Sequence, residues 1–270
     1  PYLMANCHMV SKTKRMDGKV TGGPHDGKII DVSGGWHDAG DYIKFMITIS
    51  NTAYMLLFAY KENPGVWGDN YDAWGRPGKN NIPDILDEAK YGLDWIMRMN
   101  PDAVTLFSQV GGEEDHYSMG LPENDNASYK TAPYRPVFHG NGANNAGRAA
   151  AALSLASEIW KKDLNDEKYS SLCLSRAERI YKIGKNNLRA VPSNPRDFYG
   201  ETTFAEDMEL GAASLYRATK KKSYLFDAQN FALQAGTSNG WLDWGSIHFI
   251  AHYELYPFAD TMTKSKLESY

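Results

Sequence analysis

Seven stretches of this chain repeat apolar residues at the three- and four-residue spacing of an amphipathic helix, and no stretch alternates convincingly as a strand over more than a few residues. The first, 48–62 (TISNTAYMLLFAYKE), opens on Thr, Ser and Asn, residues that cap helices, and stops at Pro64 and Gly65. The second, 83–99, places Pro83 in a first-turn position and sets Ile85, Leu86, Ala89, Leu93, Ile96 and Met97 at helical spacing. The pattern returns at 143–161, 166–185, 203–219, 223–234 and 245–256. Helices joined alternately by short and long connections fold as antiparallel hairpins, so the pattern predicts an all-α chain of helical hairpins. Within it the run Gly211-Ala212-Ala213 would let two helices approach closely.

Composition narrows the function classes. At 270 residues, 42% hydrophobic, the chain can build one domain with a substantial core, and residues 1–270 are taken as one domain. A net charge of -4, from 29 basic and 33 acidic residues, gives no reason to expect a nucleic-acid or membrane partner. No apolar run is long enough to span a bilayer, and a start at Pro1 without Met suits a mature or trimmed chain whose export signal has been removed. Two cysteines, Cys7 and Cys173, do not make a disulfide framework. Aromatic residues at 13%, with seven Trp and seventeen Tyr, exceed what a core needs, and sugar-binding clefts use such rings as stacking platforms. The loop 63–81 displays Trp67, Tyr71 and Trp74 among Gly, Asn and Pro, and 100–142 is too long to be a mere connection.

The chemistry concentrates in Asp31–Phe45, DVSGGWHDAGDYIKF. Asp38 and Asp41 stand three apart in a turn built from Ala39 and Gly40, with Trp36, Tyr42 and Phe45 on both sides. Two carboxylates at that spacing can face one pocket and hold one water between them; a calcium loop, or a capping Asp followed by a solvated one, has the same bare spacing. Cys7 and His8 are neighbours of the kind that ligate zinc, with His37 beside Asp38 as a third donor. A Cys-His dipeptide is equally an ordinary structural pair. Calcium at the Asp- and Asn-rich residues 69–72 competes with plain solvation, and His139 and Asn141 read as turn and capping residues.

In its full form the Asp31–Phe45 segment resembles the GGW(Y/H)DAGD(Y/H)xK(F/Y) signature of glycoside hydrolase family 9, the inverting cellulases. The resemblance continues: QVGGEEDHYSMGLPE (109–123) is similar to the family's QVGDGxxDHxxWGPPE, and AEDMELGAASLYRATKKKSYL (205–225) to its (D/E)ExxWGAxxLYxATGDxxYL helix pair. The resemblance implies an (α/α)6 barrel of twelve helices in two rings, of which this chain would supply roughly the first seven, the domain being incomplete at its C-terminus. It implies an endoglucanase hydrolysing β-1,4-glucan or cello-oligosaccharide with inversion, Asp41 the base and Asp38 sharing and orienting its water. It places a sugar contact on His116, beside Tyr117 and Met119 where relatives usually carry Trp, and adds Trp36, Tyr199, Trp241 and Trp244 as substrate-contacting rings. Tyr199 serves equally well as helix-entry packing, and which of Trp241 and Trp244 faces a cleft stays open. Cys7, His8 and His37 match three of the four ligands of a structural zinc found in some members, the fourth falling before Pro1; the chemistry itself needs no cofactor. The general acid falls beyond Tyr270. A secreted, periplasmic or cell-surface protein with appended immunoglobulin-like, carbohydrate-binding or dockerin modules would fit, as would an exo-acting glucosidase or glucosaminidase, or a non-catalytic glucan binder if the acid is truly absent.

Overall fold

A computed structural model of the chain describes residues 17–117, 134–237 and 241–270. These fall into two compact units: 1–101 with 107–140 and 193–198, and 102–106 with 141–192 and 199–270.

The first unit carries the helices α1 (Met46–Glu62), α2 (Asp84–Arg98) and the single turn α3 (Glu113–His116). The first helix begins two residues before the expected cap signal. Phe45 takes the cap position without a side-chain bond, and Ser50 Oγ instead donates back to the Met46 carbonyl at 2.5 Å, as a hydroxyl inside a helix does. Pro83 stands at the N-cap of α2, just outside the first turn, and Ile85, Leu86, Ala89, Leu93 and Ile96 are buried as their spacing predicts.

Against these helices lies a feature the periodicity does not announce. Five short strands, β1 (Asp17–Thr21), β2 (Ile29–Asp31), β3 (Lys44–Phe45), β4 (Phe107–Val110) and β5 (Arg135–His139), form one sheet in the order β2-β1-β5-β4-β3. Only β1 and β5 pair in parallel. The strands are two to five residues long and all four residues of β4 are buried, so the alternation that β1 keeps over Gly18–Thr21 is too short to stand out as a period.

The second unit holds α4 (Ala143–Lys162), α5 (Glu167–Lys185), α6 (Ala205–Thr219), α7 (Lys222–Ala235), α8 (His248–Leu255) and α9 (Thr261–Leu267). Short links join α4 to α5 and α6 to α7, the latter through Lys220 in the left-handed conformation (φ 58), while a long segment separates α5 from α6. The α4 helix is buried nearly all round, including Ala149–Ala152, and packs on both α5 and α6. Its crossing with α6 is backbone to backbone. A Cβ on Gly147 would lie 2.3 Å from the Asp207 carbonyl, and one on Gly211 2.7 Å from the Gly147 carbonyl, so the glycine of the predicted small-residue run meets a second glycine on α4.

This crossing yields a stability test. Gly147→Ala forces overpacking against backbone and is expected to cost about 1–3 kcal/mol, lowering Tm by roughly 2–4 °C per kcal/mol for a chain of this size. Gly65→Ala, in open space, leaves thermal unfolding within the ~0.5 kcal/mol typical of surface changes. Equal effects of the two substitutions would contradict the close crossing.

Candidate active site

The Asp31–Phe45 segment is pinned at several points before its carboxylates are placed. Ser33 donates both its N–H (2.9 Å) and its hydroxyl (2.6 Å) to Asp31 Oδ1, and the Arg98 guanidinium on α2 donates to the Ser33 carbonyl at 3.2 Å. Gly34 and Gly35 follow with φ of 85 and 68, where a side chain is strained, and a Cβ on Gly35 would strike the Trp95 ring at 2.7 Å. Lys44, only 3% exposed, reaches back to donate to the Gly34 carbonyl at 2.6 Å and ties the end of the segment to its beginning.

Ile43 then joins the two aspartates. Its carbonyl accepts the Asp38 N–H at 2.9 Å, and its own N–H donates to Asp41 Oδ1 at 3.0 Å. Asp41 is 5% exposed and Asp38 half-buried. The other oxygen of Asp41, Oδ2, lies 2.9 Å from Nδ1 of His116, whose side chain remains 42% exposed.

His116 is placed by a buried ion pair beside it. Asp115 accepts from the Gly112 N–H at 2.9 Å and from Arg135 Nε at 2.7 Å, and both members of the pair are almost fully buried. The same Arg135 guanidinium lies 5.4 Å over the ring of Tyr42, the residue between Asp41 and Ile43. One arginine on β5 therefore braces both the turn that carries His116 and the turn that carries Asp41. Phe198 covers the His116 ring at 4.7 Å and rests on Phe45; its segment is held by Gln109, which exchanges two bonds with the Asn194 backbone. Asp115, Arg135, Gln109 and Phe198 are supports that sequence reading does not single out. Gln109, at the start of a quoted motif, and Asp115, beside its histidine, sit inside that motif; Arg135 and Phe198 do not.

The other residues singled out from sequence distribute as follows. Trp36 is turned onto α2, where its Nε1 donates to Glu88 at 2.6 Å and its ring fills the space a Cβ on Gly92 would occupy. Tyr117 is 75% exposed with its ring 5.3 Å from His116; Met119 lies outside the described residues. His139 packs edge-on against Phe107 in the first unit, while Asn141, in the second, bonds through both side-chain atoms to Val104 and Leu106 and does not cap α4.

His37 is held near neutral form, its pKa lowered to about 3 by burial and then by the cations Lys44 and Arg135, and its ring meets Tyr42 edge-on. A neutral imidazole keeps the lone pair a metal ligand needs. Cys7 and His8 lie outside the described residues, and among the described residues no group of three His, Cys, Asp or Glu side chains is arranged to hold a metal. In the 69–72 loop the Asp69 carboxylate accepts the N–H groups of Asn80 and Asn81, and Asp72 those of Trp74 and Arg76, so both serve the loop's own folding.

Tyr199, Trp241 and Trp244 belong to the second unit. The rings of Tyr199 and Trp244 meet edge-on at 4.6 Å, and Trp241 is 89% exposed. Beside them α6 begins with three fully buried carboxylates, Glu206, Asp207 and Glu209. Arg148 is bonded to Asp207 and stands 3.6 Å from Glu201; His252 Nδ1 is 2.8 Å from Glu209. Burial pushes Glu201 up to about 7 against the pull of Arg148, and Glu209 up to about 7 despite His252.

These two shifts set a pH dependence. A carboxyl whose pKa rises from its ordinary 4.5 to about 7 on folding makes the native state bind more protons than the unfolded chain across that window, so its stabilisation is complete below 4.5 and is lost as pH climbs to about 7. The raised His252 acts in the same direction above its ordinary 6.5. Two acids raised to about 7 outweigh His37, whose lowered pKa acts in the opposite direction below 6.5, so thermal unfolding should have a higher midpoint at pH 5 than at pH 8, and Glu209→Gln should shrink that difference. A midpoint that rises from pH 5 to pH 8 would contradict the assignment.

Comparison with known proteins identifies the family. The model of glycosyl hydrolase family 9 matches residues 4–270. Endoglucanase 5 of Arabidopsis thaliana is 30% identical over 221 residues, covering 78% of this chain and 32% of that protein. A metagenome-derived family 9 endoglucanase superposes with a TM-score of 0.77 at 25% identity, over 94% of this chain and 46% of the other. The cellulase Cel9M of C. cellulolyticum, solved with cellobiose, gives 0.72 at 23%, over 99% and 64%. The chain thus spans about a third of the length of the curated relative it matches, and its helical hairpins are a portion of the (α/α)6 barrel of these structures. By the match over nearly its whole length, the chain belongs to glycosyl hydrolase family 9.

Proposed function

We propose that the protein hydrolyses β-1,4-glucosidic bonds in cellulose or a related β-glucan with inversion at the anomeric carbon, acting as an endoglucanase. The observation that carries this reading is the buried Asp41 carboxylate, held on one oxygen by the Ile43 N–H and on the other by His116. An ionised carboxylate offers about four lone-pair sites, so two remain for a water and its proton. Asp41 takes that proton as the water attacks the sugar from the face opposite the leaving group, and Asp38, tied to the same Ile43, orients the water. With Nδ1 engaged on Asp41, His116 keeps Nε2 on its exposed edge for a sugar hydroxyl. The endoglucanase name of the Arabidopsis relative and the cellobiose in the Cel9M structure support the substrate class.

The general acid is assigned to no residue of this chain; in an inverting enzyme it stands roughly 6.5–9.5 Å from the base. Residues 1–270 are read as part of one catalytic domain. Tyr117, Tyr199, Trp241 and Trp244 are read as sugar-stacking rings, and Trp36 as a support for the turn. Secretion or display at the cell surface follows from a polymeric substrate. No helix among the described residues is long and apolar enough to cross a membrane. His37 with Cys7 and His8 would hold a structural zinc, and the neutral imidazole of His37 is the part of that set that fits; the ion would tie the N-terminal segment to the catalytic turn and takes no part in hydrolysis.

Asp41→Asn is nearly isosteric and removes the base. Turnover of a soluble β-glucan by the full-length protein should fall about 100- to 10,000-fold with thermal unfolding retained, and Asp38→Asn should lose less. Near-normal turnover of Asp41→Asn would contradict the assignment.

A further inference from the structure

The second unit contains one buried cation, Arg148, whose bonds reach beyond the helices it lies between. The side chain is 1% exposed and projects from α4 one turn after Asn144, on the same face. Nε donates to Asp207 at the start of α6, Nη1 to the carbonyl of Trp244, and Nη2 stands 3.6 Å from Glu201 Oε1. Asn144 reinforces the same contact, its Nδ2 lying 3.4 Å from Glu201 Oε2 and 3.1 Å from the Val191 carbonyl. Glu201 is two residues from Tyr199. Trp244 sits in a turn closed by Asp243, whose carboxylate accepts the N–H groups of Gly245 and Ser246. The turn thus presents the Trp244 carbonyl inward to Arg148 while the indole, 39% exposed, meets Tyr199 edge-on at 4.6 Å.

We propose that Arg148 is a positioning residue for substrate binding: one guanidinium fixes the loop of Tyr199 and the loop of Trp244 to α4 and so sets the two rings at the angle at which they receive a glucan chain. The proposal rests on the glucan-hydrolase reading above. The geometry asks for arginine in particular. The planar fork bonds Asp207 and the Trp244 carbonyl through N–H groups that point in fixed directions and turns Nη2 toward the Glu201 carboxylate at ion-pair distance, whereas a lysine offers one point charge that can serve Asp207 but releases the Trp244 carbonyl and the Glu201 contact. Gly147, one residue earlier, lets the α6 backbone come close enough for Asp207 to reach the fork.

Arg148→Lys keeps the buried positive charge and removes the fork. In the full-length protein it should raise KM for cellohexaose roughly tenfold, within the range that an ångström of misplacement produces, while kcat changes less than about threefold, the pattern of lost binding common to ground and transition state. Added to Trp244→Ala it should raise KM little further, because the ring it positions is gone. Amide hydrogen exchange supplies a readout independent of any sugar: protection should be lost in 199–204 and 241–247 and kept in the middle of α4. An unchanged KM with a lower Tm, a loss confined to kcat, or exchange that rises uniformly along α4 would overturn the proposal. Should wild-type protein neither bind nor cleave cellohexaose, the functional reading falls, and the exchange pattern alone then decides whether Arg148 ties the loops. If Arg148→Lys does not fold, Glu201→Gln, which takes one charge from an acid-rich cluster, tests the same tie at the Tyr199 loop; exchange there equal to wild type would overturn it.

Discussion

A carboxylate taken out of water costs several kcal/mol unless donors replace the water, and the placement of Asp41 follows from how that cost is met. At 5% exposure its charge is met by the Ile43 N–H two residues on and by His116, which comes from a segment 75 residues away. The second donor is not at hand in an unstructured loop. The sheet brings them together: β3 follows the aspartate turn directly, β4 leads into α3, and the two strands pair at Lys44 with Val110 and Phe45 with Gln109. The five short strands are thus the frame that sets Asp41 and His116 side by side, although they contribute few residues to a mainly helical chain.

The frame is locked by charge. Breaking a buried ion pair by removing one partner costs about 3–5 kcal/mol, so Asp115 and Arg135, exposed 0% and 2%, hold α3 against β5 more firmly than a four-residue helix could hold itself. Arg135 also lies over Tyr42, and together with Lys44 it surrounds the aspartate turn with buried positive charge. That charge, with burial, keeps His37 neutral. The second unit has the opposite balance. Around Arg148 and His252 four carboxylates share too few cations, and the buried acids there hold protons to near neutrality. Two clusters in one chain thus answer pH in different ways, for reasons of local charge count.

The helices were legible because each has enough turns for a period to show. All seven predicted stretches are helical, with ends displaced by one to three residues where caps differ from expectation, as at Phe45 and Pro83. Among the described residues two further helices, Glu113–His116 and Thr261–Leu267, are too short for periodicity to register, and the strands are too short, or in β4 too uniformly buried, for alternation to stand out. Asp38, Asp41 and His116 were legible as motif residues and converge in one turn system. Arg135 was not, since its partner lies 20 residues away with no spacing rule to connect them. Trp36 shows the limit of counting aromatics: whether a ring is displayed or packed depends on the groove at Gly92, on a helix well downstream in sequence.

The account turns on Asp41 acting as a base on water and not as a nucleophile on the sugar, a distinction written in the configuration of the product. If Asp41, fixed by Ile43 and His116, activates water, each β-linkage must yield an α-anomeric end. Proton NMR over the first minutes of cello-oligosaccharide cleavage by the full-length protein reads that anomer before it mutarotates. The account predicts that the α-anomer accumulates first; initial release of the β-anomer would contradict it.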